Sequence, residues 1–83
     1  MEIVDRILQF IRTESDLPEG IEVDATTSLF RSRILSSVDL SGLILFMEDT
    51  CRIQVKPMDI CLENFDSVSA MSSFVQRKAT HDA

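Results

Sequence analysis

The stretch "ILSSVDLSGLILFMED", residues 34–49, places two serines directly before an apolar run that ends in an acidic pair. The apolar side chains within it recur at helical spacing, at Leu40, Leu43, Ile44 and Met47. A serine at a helix start can accept hydrogen bonds from backbone N–H groups that have no partner inside the helix. The stretch therefore predicts a helix from about Ser37 to Cys51, opened by a serine that is either an ordinary cap or an exposed hydroxyl.

Three more helices are predicted around this one. Apolar residues on one face predict a first helix over about residues 2–15, and Pro57, which suits a first helical turn, predicts a short third helix over 57–63. Asp66 or Ser67 caps a last helix, whose C-terminal end carries two basic residues that complement the helix dipole. The chain is thus predicted to be all-α, a four-helix bundle with a short third helix.

The connection between the first two helices, residues 16–36, is long and contains proline, glycine, serines, threonines and scattered acids. Loops of this length are uncommon without a purpose. Its apolar residues predict that it packs onto the core, with a short turn over about 27–30; they are Ile21, Val23, Leu29 and Phe30. We expect a single domain over residues 1–78, followed by a frayed C-terminal tail over 79–83.

The charge balance excludes two classes of partner. With 14 acidic and 8 basic residues and a net charge of −6, the chain would repel nucleic acid and anionic membrane surfaces and would attract basic protein faces. No apolar run approaches the roughly 18 to 20 residues that span a bilayer. We therefore expect a soluble, cytoplasmic monomer that binds neither nucleic acid nor membrane.

The size of the chain and its reactive residues argue against catalysis. A chain of 83 residues is too short to build an enclosed active site of its own, and we expect no enzyme activity and no catalytic residue. Cys51 and Cys61 are predicted to be reduced, buried apolar fillers, since both lie in apolar surroundings. The single histidine, His81, has no second ligand at metal spacing, so no metal site is predicted.

Several segments resemble, in order and spacing, those of the acyl carrier protein family. They are "TSLF" at 27–30, "ILSSVDL" at 34–40, "FMED" at 46–49, "IQV" at 53–55, "ENFDSVSAM" at 63–71 and "FV" at 74–75. The resemblance covers most of the chain and implies the family's four-helix bundle, with its long first loop and short third helix. It also implies the family's role, which is to carry acyl groups as thioesters.

The resemblance assigns the attachment site by register. The flanking segments fall at the family's spacings only if Ser37 takes the place of the serine that carries the covalent 4'-phosphopantetheine arm. Arg33 then stands where the family usually has glycine, and Ser36 where it has aspartate. The implied partners are a phosphopantetheinyl transferase and the acyl-loading, condensing or modifying enzymes of fatty-acid-like or polyketide-like biosynthesis.

The resemblance also implies a partner-binding face on the second helix. Asp39, Glu48 and Asp49 are expected along its exposed side, where partner enzymes of the family present basic residues. Val38 and Leu45 match the family's exposed apolar contacts beside the arm. The alternative for the acids is an ordinary solvated helix face, and the alternative for Leu45 is core packing.

Two other functions stay open on the sequence. The missing aspartate at Ser36 is compatible with an aminoacyl or peptidyl carrier, which an adenylating ligase would load. A helical interaction module that is never modified is the second alternative, because Arg33, Ser36 and Val38 all depart from the family's motif. The leading expectation is a stand-alone acyl carrier protein modified on Ser37.

Overall fold

The computed structural model describes residues 3–15 and 17–81, and side chains up to residue 79. Its described residues form four α-helices and one 3₁₀ turn, and they include no strand, which confirms the all-α prediction. The α-helices are α1 (Ile3–Glu14), α2 (Ser37–Cys51), α3 (Leu62–Phe65) and α4 (Val68–His81), and the 3₁₀ turn spans Pro57–Asp59. The first two helices therefore lie where hydrophobic periodicity predicts them.

The third helix is not the single element that the sequence predicts. It divides into the 3₁₀ turn and α3, because Ile60 between them has an extended backbone, with φ −84° and ψ 92°. The Asp59 carboxylate closes the 3₁₀ turn by accepting a hydrogen bond from the Lys56 backbone N–H at 2.9 Å. Lys78 of α4 holds the same carboxylate in an ion pair of 3.0 Å, so this segment is fastened to the last helix.

The last helix begins at one of its two predicted caps. The Ser67 hydroxyl accepts a hydrogen bond from the Ala70 N–H at 3.0 Å, which is the bond expected of an N-cap serine. Asp66 is not the cap, because its carboxylate points into the long loop. The helix continues to His81, and the last two residues of the predicted tail over 79–83 lie outside the described residues.

The core forms where α4 packs against α1 and α3, and α1 against α2. Its fully buried side chains come from every helix and from the loop: Ile7, Ile11, Leu29, Leu43, Met47, Phe65, Val68 and Met71. Phe65 and Phe74 add a tilted aromatic contact, with ring centroids 5.4 Å apart. At the start of α2, Ser36, Ser37 and Val38 are exposed and lie outside this core.

The long loop is packed down, as predicted. Val23 and Leu29 are buried, and the Leu29 N–H donates to the Asp66 carbonyl at 2.7 Å. The loop reverses over residues 30–33, slightly later than predicted, where the Arg33 N–H donates to the Phe30 carbonyl at 3.1 Å. Ile21 does not belong to the core, and 42% of its surface is accessible.

The two cysteines are free thiols in different surroundings. Cys51 is half-buried against the core, and burial raises the pKa of its thiol, while the nearby Arg6 charge acts in the opposite direction. Cys61 is exposed, so the prediction that it is buried is wrong, because it lies in the extended segment that precedes α3. Among the described helices, none is long and apolar enough to cross a membrane.

Candidate functional site

The start of α2 is held by a reciprocal pair of side chains. Ser36 is the N-cap, and its hydroxyl oxygen accepts a hydrogen bond from the Asp39 backbone N–H at 3.4 Å. The Asp39 carboxylate in turn accepts bonds from the Ser36 N–H at 2.8 Å and from the Ser36 hydroxyl at 3.0 Å. This arrangement is a capping box. It assigns the capping role, which the sequence left open between two serines, to Ser36.

Ser37 is consequently left with a free hydroxyl. It is the first residue of α2, its side chain is exposed, and its hydroxyl makes no hydrogen bond within the described chain. The backbone N–H groups of Ser37 and Val38 also lack an acceptor among the described residues, as expected in the first turn of a helix. The site therefore combines an unhindered hydroxyl with N–H donors at the positive end of the helix dipole.

A groove of about 940 Å³ lies beside Ser37. It lies between the long loop, the start of α2 and the extended segment that leads into α3. Its lining is mostly apolar, including Phe30, Ile34, Leu40, Ile60, Leu62 and Phe65. Arg33 and Asp39 are the only charged residues among those that line it. An extended group attached to Ser37 would thus meet an apolar surface with one cation and one anion.

The groove does not reach the centre of the bundle. The apolar residues of α2 and α4 would permit a cleft between these helices; they are Leu40, Leu43, Ile44, Met47, Met71 and Phe74. In the structure Leu43, Met47 and Met71 have no exposed surface and belong to the closed core. Of the residues considered for such a cleft, only Leu40 lines the groove, which is therefore a surface feature at the end of the bundle.

The apolar residues predicted on the partner face are exposed. Val38 has 80% of its surface accessible and Leu45 has 66%, so neither is a core residue. Met58 extends the exposed apolar surface at 83%, together with Ile60 and Leu62, each at 43%. All three residues lie within the predicted third helix over 57–63, and no local pattern in the sequence indicates the interruption of that helix at Ile60.

The predicted acidic face is only partly present. Asp49 is exposed, but Asp39 is half-buried and occupied by the capping box. Glu48 is also half-buried, and its carboxylate accepts a hydrogen bond from the Val55 N–H at 3.0 Å. Glu48 therefore fixes the chain that leaves α2, a role that no local pattern indicates.

Comparison with known proteins finds a relative that covers almost the whole chain. No protein-family model matches the chain. The chain is 32% identical over 82 residues to the lincomycin biosynthesis protein LmbN of Streptomyces lincolnensis. This similarity covers 99% of the chain but 29% of that protein, so most of the relative has no counterpart here.

Proposed function

We propose that this chain is a carrier protein that bears a 4'-phosphopantetheine arm on Ser37 and presents biosynthetic intermediates to partner enzymes. The observation that carries the proposal is that the two serines at the start of α2 have different roles. Because Ser36 makes the cap with Asp39, the Ser37 hydroxyl stays exposed and unbonded. Similarity to a protein named for lincomycin biosynthesis supports a biosynthetic role.

The residues around Ser37 fit such an arm. The free N–H groups of Ser37 and Val38 and the helix dipole favour a phosphate on the Ser37 oxygen. The groove beside Ser37 offers an apolar surface along which an extended chain could lie. When bound, the arm supplies a thiol that holds a cargo as a reactive thioester.

In this proposal Ser37 is a substrate and the chain is not an enzyme. Within a transferase, the Ser37 oxygen attacks the pantetheine-linked phosphorus of coenzyme A. A bond forms between that oxygen and phosphorus, the phosphorus–oxygen bond to adenosine 3',5'-bisphosphate breaks, and the hydroxyl proton passes to a base. No described side chain hydrogen-bonds to the Ser37 hydroxyl, so the transferase has to supply that base.

The mass of the intact protein tests the assignment. Incubation with coenzyme A, magnesium and a broad-specificity phosphopantetheinyl transferase should add one arm to the natural chain and none to Ser37→Ala. Ser36→Thr is the matched control, because threonine still caps a helix and Ser37 is untouched. Modification of Ser37→Ala would contradict the assignment, and an unmodified natural chain would favour the interaction module.

The cargo is a separate question that the modified protein can answer. The mostly apolar groove favours an acyl cargo, as in fatty-acid-like or polyketide-like biosynthesis. An aminoacyl or peptidyl cargo, loaded by an adenylating ligase, is the alternative. Acyl-transferring enzymes and amino-acid ligases should be offered the modified protein in parallel, with the loaded species identified by mass. Loading by ligases alone would replace the acyl assignment.

A further inference from the structure

Arg33 lies at the rim of the groove beside Ser37. Both residues line the groove, and Arg33 lies shortly before Ser37 in the sequence, at the end of the long loop. The other charged residue in the lining is Asp39, and its carboxylate is already held by the Ser36 N–H and hydroxyl. Arg33 is therefore the one basic residue among those that line the groove, and it is the basic residue nearest to Ser37 in the sequence.

The guanidinium of Arg33 has no partner among the described residues, whereas two other arginines of the chain have one. Arg31 lies 3.9 Å from the Asp66 carboxylate, and Arg12 donates to the Val23 carbonyl at 2.8 Å. Arg33 is exposed, and its side chain makes no hydrogen bond or ion pair with any residue that the structure describes. In a chain with a net charge of −6, this cation has been left free beside the candidate attachment site.

The backbone fixes Arg33 in this position at a conformational cost. Its φ is 59°, in the left-handed region that glycine adopts readily and that side chains disfavour. The turn is secured by the Arg33 N–H on the Phe30 carbonyl and by the Ile34 and Leu35 N–H groups on the Leu29 carbonyl, at 2.9 and 3.0 Å. Unfavourable backbone conformations of this kind often accompany functional positions.

We propose that the Arg33 guanidinium binds the phosphodiester that joins the arm to Ser37. This inference rests on the function proposed above. A phosphodiester carries one negative charge and two free oxygens, which match the planar fork of guanidinium N–H donors. Through this contact Arg33 anchors the base of the arm at the rim of the groove. The modified protein is consequently more stable than the unmodified one, and Arg33 is more ordered in it.

A comparison of two arginine variants tests the contact. Arg33→Gln removes the charge at the groove, and Arg52→Gln is the matched control, because Arg52 is exposed, has φ 56° and lies at the other end of α2. Each protein is converted fully to the modified form, as verified by intact mass. The urea midpoints of the modified and unmodified forms are then measured at low and high salt.

The arm should raise the midpoint of the natural chain and of Arg52→Gln by the same amount, and that of Arg33→Gln by less. The difference should shrink at high salt, because an exposed contact is screened. In NMR spectra of the natural chain, the Arg33 Nε–H signal should shift on modification while the Arg52 signal stays. Arg33→Gly should behave like Arg33→Gln, and glycine accepts the left-handed backbone, so loss of folding does not confuse the result.

The outcomes separate this inference from the function on which it rests. A natural chain that gains no mass contradicts both. Full modification with equal midpoint increases in all variants, and an Arg33 signal that does not move, contradicts the Arg33 contact alone.

Discussion

Asp66 shows how one side chain can fasten a long loop. One of its carboxylate oxygens accepts hydrogen bonds from the backbone N–H groups of Phe30 at 2.8 Å and Arg31 at 3.0 Å. The other accepts from the Ser28 hydroxyl at 2.7 Å. Partial burial acts to raise the pKa of Asp66, but the bonds from Arg31, Ser28 and Phe30 outweigh it and hold the pKa below its ordinary value of 3.8.

The lowered pKa of Asp66 predicts a loss of stability in acid. Because the folded state binds the proton less tightly than the unfolded state, the stabilisation is fully present above the ordinary pKa and is lost as the pH falls through the lowered one. Asp66→Asn should lower the free energy of unfolding at neutral pH by about 1.5–3 kcal/mol, the usual value for hydrogen bonds to a charged group. The substitution should also make the free energy of unfolding depend less on pH in acid. Urea titrations across pH measure both effects.

Asp49→Asn is the control for this prediction. Asp49 is an exposed aspartate of α2 whose carboxylate makes no hydrogen bond in the described chain, so its substitution should change neither the stability nor the acid profile appreciably. A profile for Asp66→Asn that superimposes on that of the natural chain would show that the carboxylate does not secure the loop.

The two adjacent serines should respond differently to the same substitution. Ser36→Ala removes the two hydrogen bonds that the Ser36 hydroxyl makes with Asp39, leaves the backbone N–H bond to the Asp39 carboxylate, and should cost about 1 kcal/mol of unfolding free energy, within the usual range for caps. Ser37→Ala removes an exposed hydroxyl without a partner and should leave stability nearly unchanged. Chemical denaturation of both variants measures the difference. Equal losses, or a larger loss for Ser37→Ala, would reverse the assignment of the cap.

At the scale of one element, α2 has a buried side and an exposed apolar side. Leu43 has no accessible surface, whereas Leu45, two residues later, has 66% of its surface accessible. The first leucine belongs to the core with Met47, and the second lies in the same helix as the exposed Val38. Leucines of the same helix thus lie in two environments, one in the core and one on the surface that is predicted to bind partners.

The two leucines form a matched pair for mutation. Leu43→Ala should lower the free energy of unfolding by about 2–5 kcal/mol, because it leaves a cavity in the core. Leu45→Ala should leave stability within about 0.5 kcal/mol and should instead weaken binding to a broad-specificity phosphopantetheinyl transferase. Denaturation and calorimetric titration measure the two effects. Unchanged transferase binding by Leu45→Ala would remove Leu45 from the partner face.

At the scale of the whole molecule, the net charge of −6 favours basic partner surfaces. Two acidic residues of α2, Asp39 and Glu48, are less suited to attract a basic partner, because their carboxylates already accept hydrogen bonds from backbone N–H groups. Substituting Glu48 would therefore mix a loss of charge with a loss of the Val55 hydrogen bond. Asp49 makes no such hydrogen bond in the described part of the chain, so its substitution tests electrostatic attraction of a partner alone.

Asp49→Lys should slow association with a basic partner enzyme several-fold at low salt, and the difference should diminish as salt screens charges beyond about 8 to 10 Å. Glu22→Lys makes the same change of charge in the exposed long loop and is the control for net charge. Stopped-flow association with the transferase at two salt concentrations gives the comparison. An equal effect of the two substitutions would mean that only net charge matters.

Elements that depend on residues close together in the chain could be predicted from the amino-acid sequence. The spacing of apolar residues predicted α1 and α2 closely, because side chains three and four residues apart share a helix face wherever the helix lies. The resemblance to the acyl carrier protein family singled out Ser37 as the attachment site, which stays a prediction, and the structure leaves that hydroxyl free. The packing of the long loop also followed from its apolar residues, Val23 and Leu29.

Features that join residues distant in the sequence could not be predicted and became visible in the folded chain. Asp66 reads locally as a helix cap, but it meets loop N–H groups more than thirty positions away. The interruption at Ile60, the exposure of Cys61 and the groove beside Ser37 likewise depend on how the loop and α4 hold the segment before α3. Such contacts form only once the chain is folded, because packing determines which polar groups come within hydrogen-bond distance of each other. No periodic pattern in the sequence indicates those pairs.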